Sequence, residues 1–402
     1  MTKKKVVIVG PALSLSGYGT LTRFVLKSLS LIDEFDLYLF PTSWGDSSWI
    51  HEDTAFRVWV DHLVHKSQNN KTPFDISVQV TIPNEWKRMS PINIGVTAGL
   101  ETDRVPEEWL DKARNVDRIL VTSQHSKDSY VNTEINGKKC PTPIEVFHLP
   151  VREDLDEVEK LDFELEADFN FVSVAQWVPR KNMEACLRWF VEEFHDEEGI
   201  GLVVKTHARN NAKGDRYHMD KIFKGVLSNY ENRKCKVHLL HGLLSEDEMH
   251  GVYKHEKIKA FCTTTHGEGY GLPMFEVAQE GKPIVATNWS SYLDFLVLDG
   301  NTYFRPVECD INDVTPDALM PGIILEGFKW AYPKEADYKK ALRDVYENYS
   351  EYKALAVELK DKLKESFSVD KIYLDMIEKM FSGFGNVERL NGEKKEEIVE
   401  YD

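Results

Sequence analysis

Short β-branched runs alternate with helical patterns along most of the chain, and that alternation restricts the fold more than any other feature. Strand-like runs fall at 6–9, 36–40, 76–80, 92–97 and 118–122, with helical patterns over 19–31 and 106–114. Such a succession predicts a parallel α/β sheet. The alternation starts again at 169 with FNFVSVAQW, passes through 201–205, 237–240 and 259–263, and reaches 284–287. Two α/β units in series are therefore expected.

Between them, residues 152–168 hold nine carboxylates against Arg152 and Lys160. That is too acidic for a core element and reads as an interdomain linker. From 337 onward the pattern turns helical, and Tyr352, Leu355, Leu359, Leu363 and Phe367 recur at three- and four-residue spacing, predicting one apolar helix face. The expected boundaries are a first unit over 1–151, the linker, a second unit over 169–366, a carboxy-terminal helix over 367–386 and a disordered polar tail over 387–402.

With 402 residues, 42% of them hydrophobic, the chain can bury a substantial core. Its 50 Lys and Arg stand against 67 Asp and Glu, a net charge of −17, which supplies no global field for a polyanion. A dedicated nucleic-acid binder is disfavoured, and small-molecule or glycan partners fit better. Cys140, Cys186, Cys235, Cys262 and Cys309 are scattered and form no CxxC pair, so neither a disulfide framework nor a zinc knuckle is indicated. The start MTKKKVVIVG is interrupted by Gly10 and Pro11 and reads as a first strand after a solvated terminus, not as a signal peptide. No apolar run approaches the ~20 residues of a spanning helix. A soluble, cytoplasmic protein without stable membrane insertion is expected.

The segment HGEGYGLPMFEVAQEGKPIVATNWS, 266–290, follows the apolar strand KIKAFCTTT and so stands at the carboxyl end of a strand, where open α/β sheets bind ligands. Gly267, Gly269 and Gly271 permit close backbone approach, and Pro273 suits a helix start whose free N–H groups would face a phosphate. Glu268 in the loop and Glu276 in the helix are placed to accept hydrogen bonds from sugar hydroxyls. A glycine turn before a helix whose glutamate complements the dipole is the plainer alternative.

Glu268 and Glu276 within EGYGLPMFE, followed by GKPIVATNWS, resemble the paired-glutamate motif of family 4 retaining glycosyltransferases of the GT-B fold, in its bacterial and phage-like branch. The resemblance implies two Rossmann-like domains facing across a cleft, with a carboxy-terminal helix crossing back to the first. It places Glu268, Gly269, Tyr270, Gly271 and Leu272 at the transferred sugar and phosphates, and Glu276 at the ribose. SVAQWVPRKNMEACLRWFVEEF, 173–194, resembles the opening of the family's second domain, with Lys181 as the cation of the donor diphosphate. Where relatives often carry a further arginine this chain has Gln176, leaving Arg180 or Lys205 to supply the charge. Breaking a sugar–phosphate bond builds negative charge on the leaving group, which is why pre-positioned cations are needed. His207, at a strand end, either faces the sugar or is an exposed loop residue.

SLSGYGT, 14–20, resembles the family's glycine-rich loop, with Gly17 and Gly19 beside the nucleotide donor, and is not the GxGxxG fingerprint of nicotinamide enzymes. GVTAGLETDRVPEEW, 95–109, resembles an acceptor-side loop, where Glu101, Thr102 and Asp103 stand in place of the usual histidine. The same stretch also reads as a helix cap. Asp154-Leu155-Asp156 has the outline of a DxD metal motif but falls in the acidic stretch, and no metal site is assigned.

The activity implied is transfer of a hexosyl or pentosyl group from a UDP- or GDP-sugar to an acceptor hydroxyl with retained anomeric configuration, without a metal or other cofactor. Acceptor glycan, lipid-linked sugar, protein and modified DNA base all stay open. Rival readings are a sugar-nucleotide epimerase or hydrolase on the same fold, or a catalytically silent scaffold.

Overall fold

The computed structural model describes residues 3–51, 54–161 and 163–384, so the tail expected over 387–402 lies outside the described residues. The chain divides into two compact units, each a parallel sheet with helices between its strands.

The first unit comprises the chain up to Leu100, Arg104–Pro150, and the segment from Asp370 onward. Its elements are β1 (Lys4–Gly10), α1 (Gly17–Ser30), β2 (Phe35–Pro41), α2 (Ala55–Asn69), β3 (Ile76–Val80), β4 (Ile92–Thr97), α3 (Glu107–Lys112), β5 (Arg118–Val121), α4 (Gln124–Val131) and β6 (Ile144–Val146). The strand order is β2-β1-β3-β4-β5-β6, all parallel. Val6, Val7 and Ile8 are fully buried, as an uninterrupted apolar run in a central strand requires. The Ser16 hydroxyl caps α1 by accepting from the Gly19 amide at 3.1 Å. Gly19 has no alternative there, because a Cβ would stand 1.9 Å from the Ser14 carbonyl oxygen.

The second unit comprises Glu101–Asp103 and Val151–Val369. It contains β7 (Phe169–Val174), α5 (Met183–Glu193), β8 (Ile200–Lys205), α6 (Lys213–Leu227), β9 (Lys236–Leu240), α7 (Glu246–Lys254), β10 (Ile258–Cys262), α8 (Leu272–Gln279), β11 (Ile284–Thr287), α9 (Leu293–Leu296), β12 (Val297–Leu298), β13 (Asn301–Thr302), β14 (Arg305–Val307), β15 (Cys309–Asp313), β16 (Lys329–Pro333), α10 (Glu335–Glu347) and α11 (Tyr349–Ser366). The main sheet runs β14-β11-β10-β7-β8-β9, while β12–β13 and β15–β16 form separate two-stranded pieces. Successive strands step outward from β7 to β9, and the chain then returns to the other side of β7 to lay down β10. The carboxyl ends of β7 and β10 therefore flank a topological switch point, the crevice where such sheets take ligands.

The final helix, α12 (Val369–Phe381), packs on the first unit although it follows the second in the chain. Ile372, Met376, Ile377 and Met380 are buried, the Tyr373 ring meets Phe24, and the Phe381 ring meets Phe35 edge-on. Arg118 fixes the helix end by donating to the carbonyls of Lys379 at 3.0 Å and Ser382 at 2.6 Å.

Two expectations are refined. The acidic stretch 152–168 does not hang between the units but is grouped with the second, where Leu155, Leu165 and Ala167 are buried. The Leu161 amide donates to the Gly251 carbonyl at 3.0 Å, and Lys254 donates to that of Val158 at 2.8 Å. In α11 the buried face is Ala356, Leu359 and Leu363, while Leu355 is 38% exposed. Small Ala356 takes the inward position that the larger leucine was expected to fill.

Candidate active site

The loops that leave β7 and β10 are stitched together at the switch point. Asn182, in the left-handed region at φ 50°, donates its side-chain amide to the Thr264 carbonyl at 3.2 Å and accepts on its own carbonyl from the Thr264 hydroxyl at 2.7 Å. The Arg180 carbonyl accepts from the His266 amide at 2.9 Å. His266 is in turn clamped between the Trp330 ring, stacked at 4.9 Å, and the Ala331 carbonyl, to which Nδ1 donates at 2.6 Å.

This stitching brings Arg180, Lys181 and Glu268 together. Lys181 Nζ and Glu268 Oε2 form a close ion pair, and Arg180 Nη1 lies 3.3 Å from the same oxygen. Arg180 Nη1 also donates to the Gly267 carbonyl at 2.7 Å and pairs with Glu101 Oε1 at 3.1 Å. The Glu268 amide donates to Ser290 Oγ at 2.9 Å, and that hydroxyl donates back to the Glu268 carbonyl at 2.7 Å. Ser290 holds this bridge from φ 88°, a backbone region that costs a non-glycine residue free energy and is kept where surroundings over-determine it.

The electrostatics follow from burial set against pairing. Burial pushes the Glu268 carboxyl up, but Lys181 and Arg180 outweigh it and hold the group below the usual carboxylate range, so it is ionised. Burial and then the adjacent Arg180 guanidinium pull the Lys181 ammonium below the ordinary lysine range, against the attraction of Glu268. Arg180 stays charged, since Glu101 and Glu268 together exceed its cost of burial.

Beyond this cluster, α8 is capped by Gly271, whose φ of 92° and close approach to Met274 and Tyr292 disfavour any side chain. Among the described residues nothing accepts from the amides of Gly271 and Leu272, which open the first turn. Gly269 is half-buried in the same loop. Tyr270 sends its ring inward, 5.4 Å from both Phe275 and Phe295. On α8, Glu276 accepts from the buried Tyr253 hydroxyl at 3.0 Å, and burial raises its carboxyl above the usual range.

Lys205 ends β8, donates to the Gly242 carbonyl at 2.8 Å, and is pulled by burial down to about 8. His207 follows it, lowered first by burial and then by the Lys205 charge. Gln176 donates to the Ala208 carbonyl at 2.8 Å, a neutral contact where a cation was sought. Gly17 and Gly19 belong to the first unit, at the start of α1. Glu101, Thr102 and Asp103 are grouped with the second unit: Asp103 exchanges hydrogen bonds with the Lys329 backbone at 2.8 and 2.9 Å, and Thr102 is buried. Asp154 pairs with Arg152 at 2.9 Å, and among the described residues no cluster of three or more His, Cys, Asp or Glu is placed to hold a metal.

Gly267 makes one local prediction. A Cβ there would meet both the Cβ and the carbonyl oxygen of Glu101 at 2.9 Å. Gly267→Ala is expected to destabilise by about 1–3 kcal/mol through overpacking, read as a fall in melting temperature.

The strand orders and the terminal helix returned to the first unit define the GT-B class of fold, with its charged cluster at the second unit's switch point. No family model matches the chain, and no curated protein matches it in sequence. Solved structures do match in fold. Anabaena HepE, solved in complex with UDP and glucose, is 12% identical with a TM-score of 0.62 over 94% of this chain and 100% of its own. Sucrose-phosphate synthase from Thermosynechococcus elongatus is 12% identical with a TM-score of 0.63 over 96% and 98%. TarM is 12% identical with a TM-score of 0.51 over 76% of this chain, which spans 55% of TarM's length.

Proposed function

We propose that the protein is a retaining glycosyltransferase that moves a sugar from a nucleotide donor to an acceptor hydroxyl. The observation that carries this reading is the pairing of Arg180 and Lys181 with Glu268 at the switch point, beside the open first turn of α8. HepE, a structural neighbour of the same fold, holds UDP and glucose. In this reading the two cations and the amides of Gly271 and Leu272 meet the diphosphate, Glu268 borders the transferred sugar, and Glu276 accepts from the ribose hydroxyls. Cleavage of the anomeric carbon–oxygen bond leaves its electron pair on the β-phosphate, whose growing charge Lys181 and Arg180 neutralise without reorganising. The acceptor proton leaves with that phosphate as the new glycosidic bond forms on the same face.

Arg180 takes the place of the cation missing at Gln176, because its guanidinium reaches the Glu268 loop while Gln176 is engaged elsewhere. Lys205 and His207 line the nucleotide side. The acceptor is a glycan, a lipid-linked sugar or a protein, and the net charge of −17 ranks a DNA base below these. Among the described residues no helix is long and apolar enough to cross a membrane, and a cytoplasmic site of action is part of the proposal.

The test is a thermal-shift screen of UDP- and GDP-sugars, in which a ligand at a hundred times its Kd adds roughly 2.7 kcal/mol. It is followed by release of nucleoside diphosphate from the stabilising donor. Release that needs an acceptor supports transfer, release to water alone makes the protein a hydrolase, and the anomeric configuration of the product reads retention. Because two side-chain cations serve the diphosphate, activity is expected to survive EDTA, and Asp154→Asn with Asp156→Asn to leave turnover unchanged. Activity lost on chelation and restored by manganese or magnesium would contradict the metal-independent mechanism.

A further inference from the structure

We propose that Glu101 is a positioning residue for Arg180, holding the guanidinium by Nη1 so that its Nε–Nη2 edge is free to grip the donor diphosphate. The proposal rests on the nucleotide-sugar reading above and moves Glu101 from the acceptor side to the phosphate side of the reaction.

Three acceptors converge on one nitrogen. Arg180 Nη1 faces the Gly267 carbonyl at 2.7 Å, Glu101 Oε1 at 3.1 Å and Glu268 Oε2 at 3.3 Å. Among the described residues no acceptor engages Nε or Nη2, the side chain is 24% exposed, and neither nitrogen is among the fully buried unpartnered atoms. A guanidinium presents Nε–H and one Nη2–H side by side, the fork that meets two oxygens of a phosphate. Anchoring the opposite nitrogen aims the fork and leaves it unoccupied.

Of the three acceptors, Glu268 is already shared with Lys181, and the Gly267 carbonyl is uncharged. Glu101 is therefore the one carboxylate among them that pairs directly with Arg180 and not with Lys181, although its charge also supports the Lys181 ammonium. Its backbone is fixed to match: the Glu101 carbonyl accepts from Trp289 Nε1 at 3.4 Å and abuts Gly267, and two residues on Asp103 is hydrogen-bonded to Lys329. The carboxylate arrives on a short, docked segment instead of a long flexible reach, which lowers the entropic cost of holding the fork in place.

A plain field argument predicts the reverse. Arg180 and Lys181 are balanced by Glu101 and Glu268, so deleting one acid makes the site more cationic and would strengthen binding of a diphosphate. The two accounts differ in sign, and calorimetry of UDP and GDP with intact wild type, Glu101→Ala, Glu101→Gln, Arg180→Ala and the Glu101→Ala/Arg180→Ala pair separates them.

The expected result is a loss on the order of ten-fold in diphosphate affinity for Glu101→Ala, the size of one charge-assisted contact. The loss is smaller for Glu101→Gln, whose amide oxygen still accepts, and absent when Arg180 is already alanine. UMP and GMP, which lack the second phosphate, lose less than the diphosphates. Affinity that rises in Glu101→Ala, stays within two-fold of wild type, or falls equally with and without Arg180 overturns the assignment; the last outcome marks a purely structural role. Wild type that binds neither UDP nor GDP overturns the nucleotide-sugar reading itself, and this assignment with it.

Discussion

Lys181→Ala is expected to cut turnover on the order of 10²- to 10³-fold, the effect of removing one pre-positioned charge from a developing anion, while the protein remains folded. The separation of activity from stability follows from the site's own electrostatics. Burial and the adjacent Arg180 already pull the Lys181 ammonium below the ordinary lysine range, so carrying that charge works against folding there. A group whose charged form is disfavoured in the resting protein is a poor stabiliser and a good candidate for function. When Lys181 is removed, the Glu268 carboxylate keeps Arg180 at 3.3 Å, so it is not orphaned. The same depression fixes the sign of the alkaline limb: turnover falls as pH rises through a lysine pKa lower than that of a free lysine. Steady-state kinetics with a melting curve on the same variant checks both halves. A large loss of melting temperature with normal turnover would assign Lys181 to the fold instead.

Much of the architecture is legible because its causes are local. Val6, Val7 and Ile8 form a strand wherever they are buried on both faces, and Gly271 followed by Pro273 opens a helix by backbone preference alone. The placement of Glu268 in the loop and Glu276 on the helix is legible for the same reason, since their spacing is set by one turn and one helix. What escaped are relations between distant segments. Ser290 ends the segment GKPIVATNWS yet carries no periodic or compositional mark of its bridge to Glu268. Tyr253 reaches Glu276 from another helix. Resemblance puts Glu101 on the acceptor side, and two residues on Asp103 pairs with Lys329, a partner 226 residues away that no local pattern announces. The inward ring of Tyr270 is a similar case: it answers to Phe275 and Phe295, contacts that the glycine-rich loop itself does not announce.

Glu276→Gln is expected to move stability and nucleotide-donor affinity in opposite directions. Burial pushes the Glu276 carboxyl above the usual range, only partly offset by His250, the Tyr253 hydroxyl and Arg152, with Glu246 adding to the rise. The folded state then binds the Glu276 proton more tightly than the unfolded chain does. Its contribution to stability is present below the unfolded carboxyl pKa and is lost as pH rises through the raised folded value. Wherever it is ionised, the buried group is therefore a cost, and an uncharged glutamine of the same shape removes it, so at pH values above the folded-state titration the variant melts higher than wild type. In the proposed donor site the ribose hydroxyls lose a charged acceptor by the same change, about 1.5–3 kcal/mol per hydrogen bond, or roughly ten- to a hundred-fold in affinity. Nucleotide affinity of the wild type should also rise with pH through the Glu276 titration, because only the ionised carboxylate is a full acceptor, and that slope should vanish in Glu276→Gln. Calorimetry at several pH values, paired with melting curves, reads all three effects. A variant that melts lower and binds nucleotide as wild type does would make Glu276 a structural partner of Tyr253 and remove it from the ribose site.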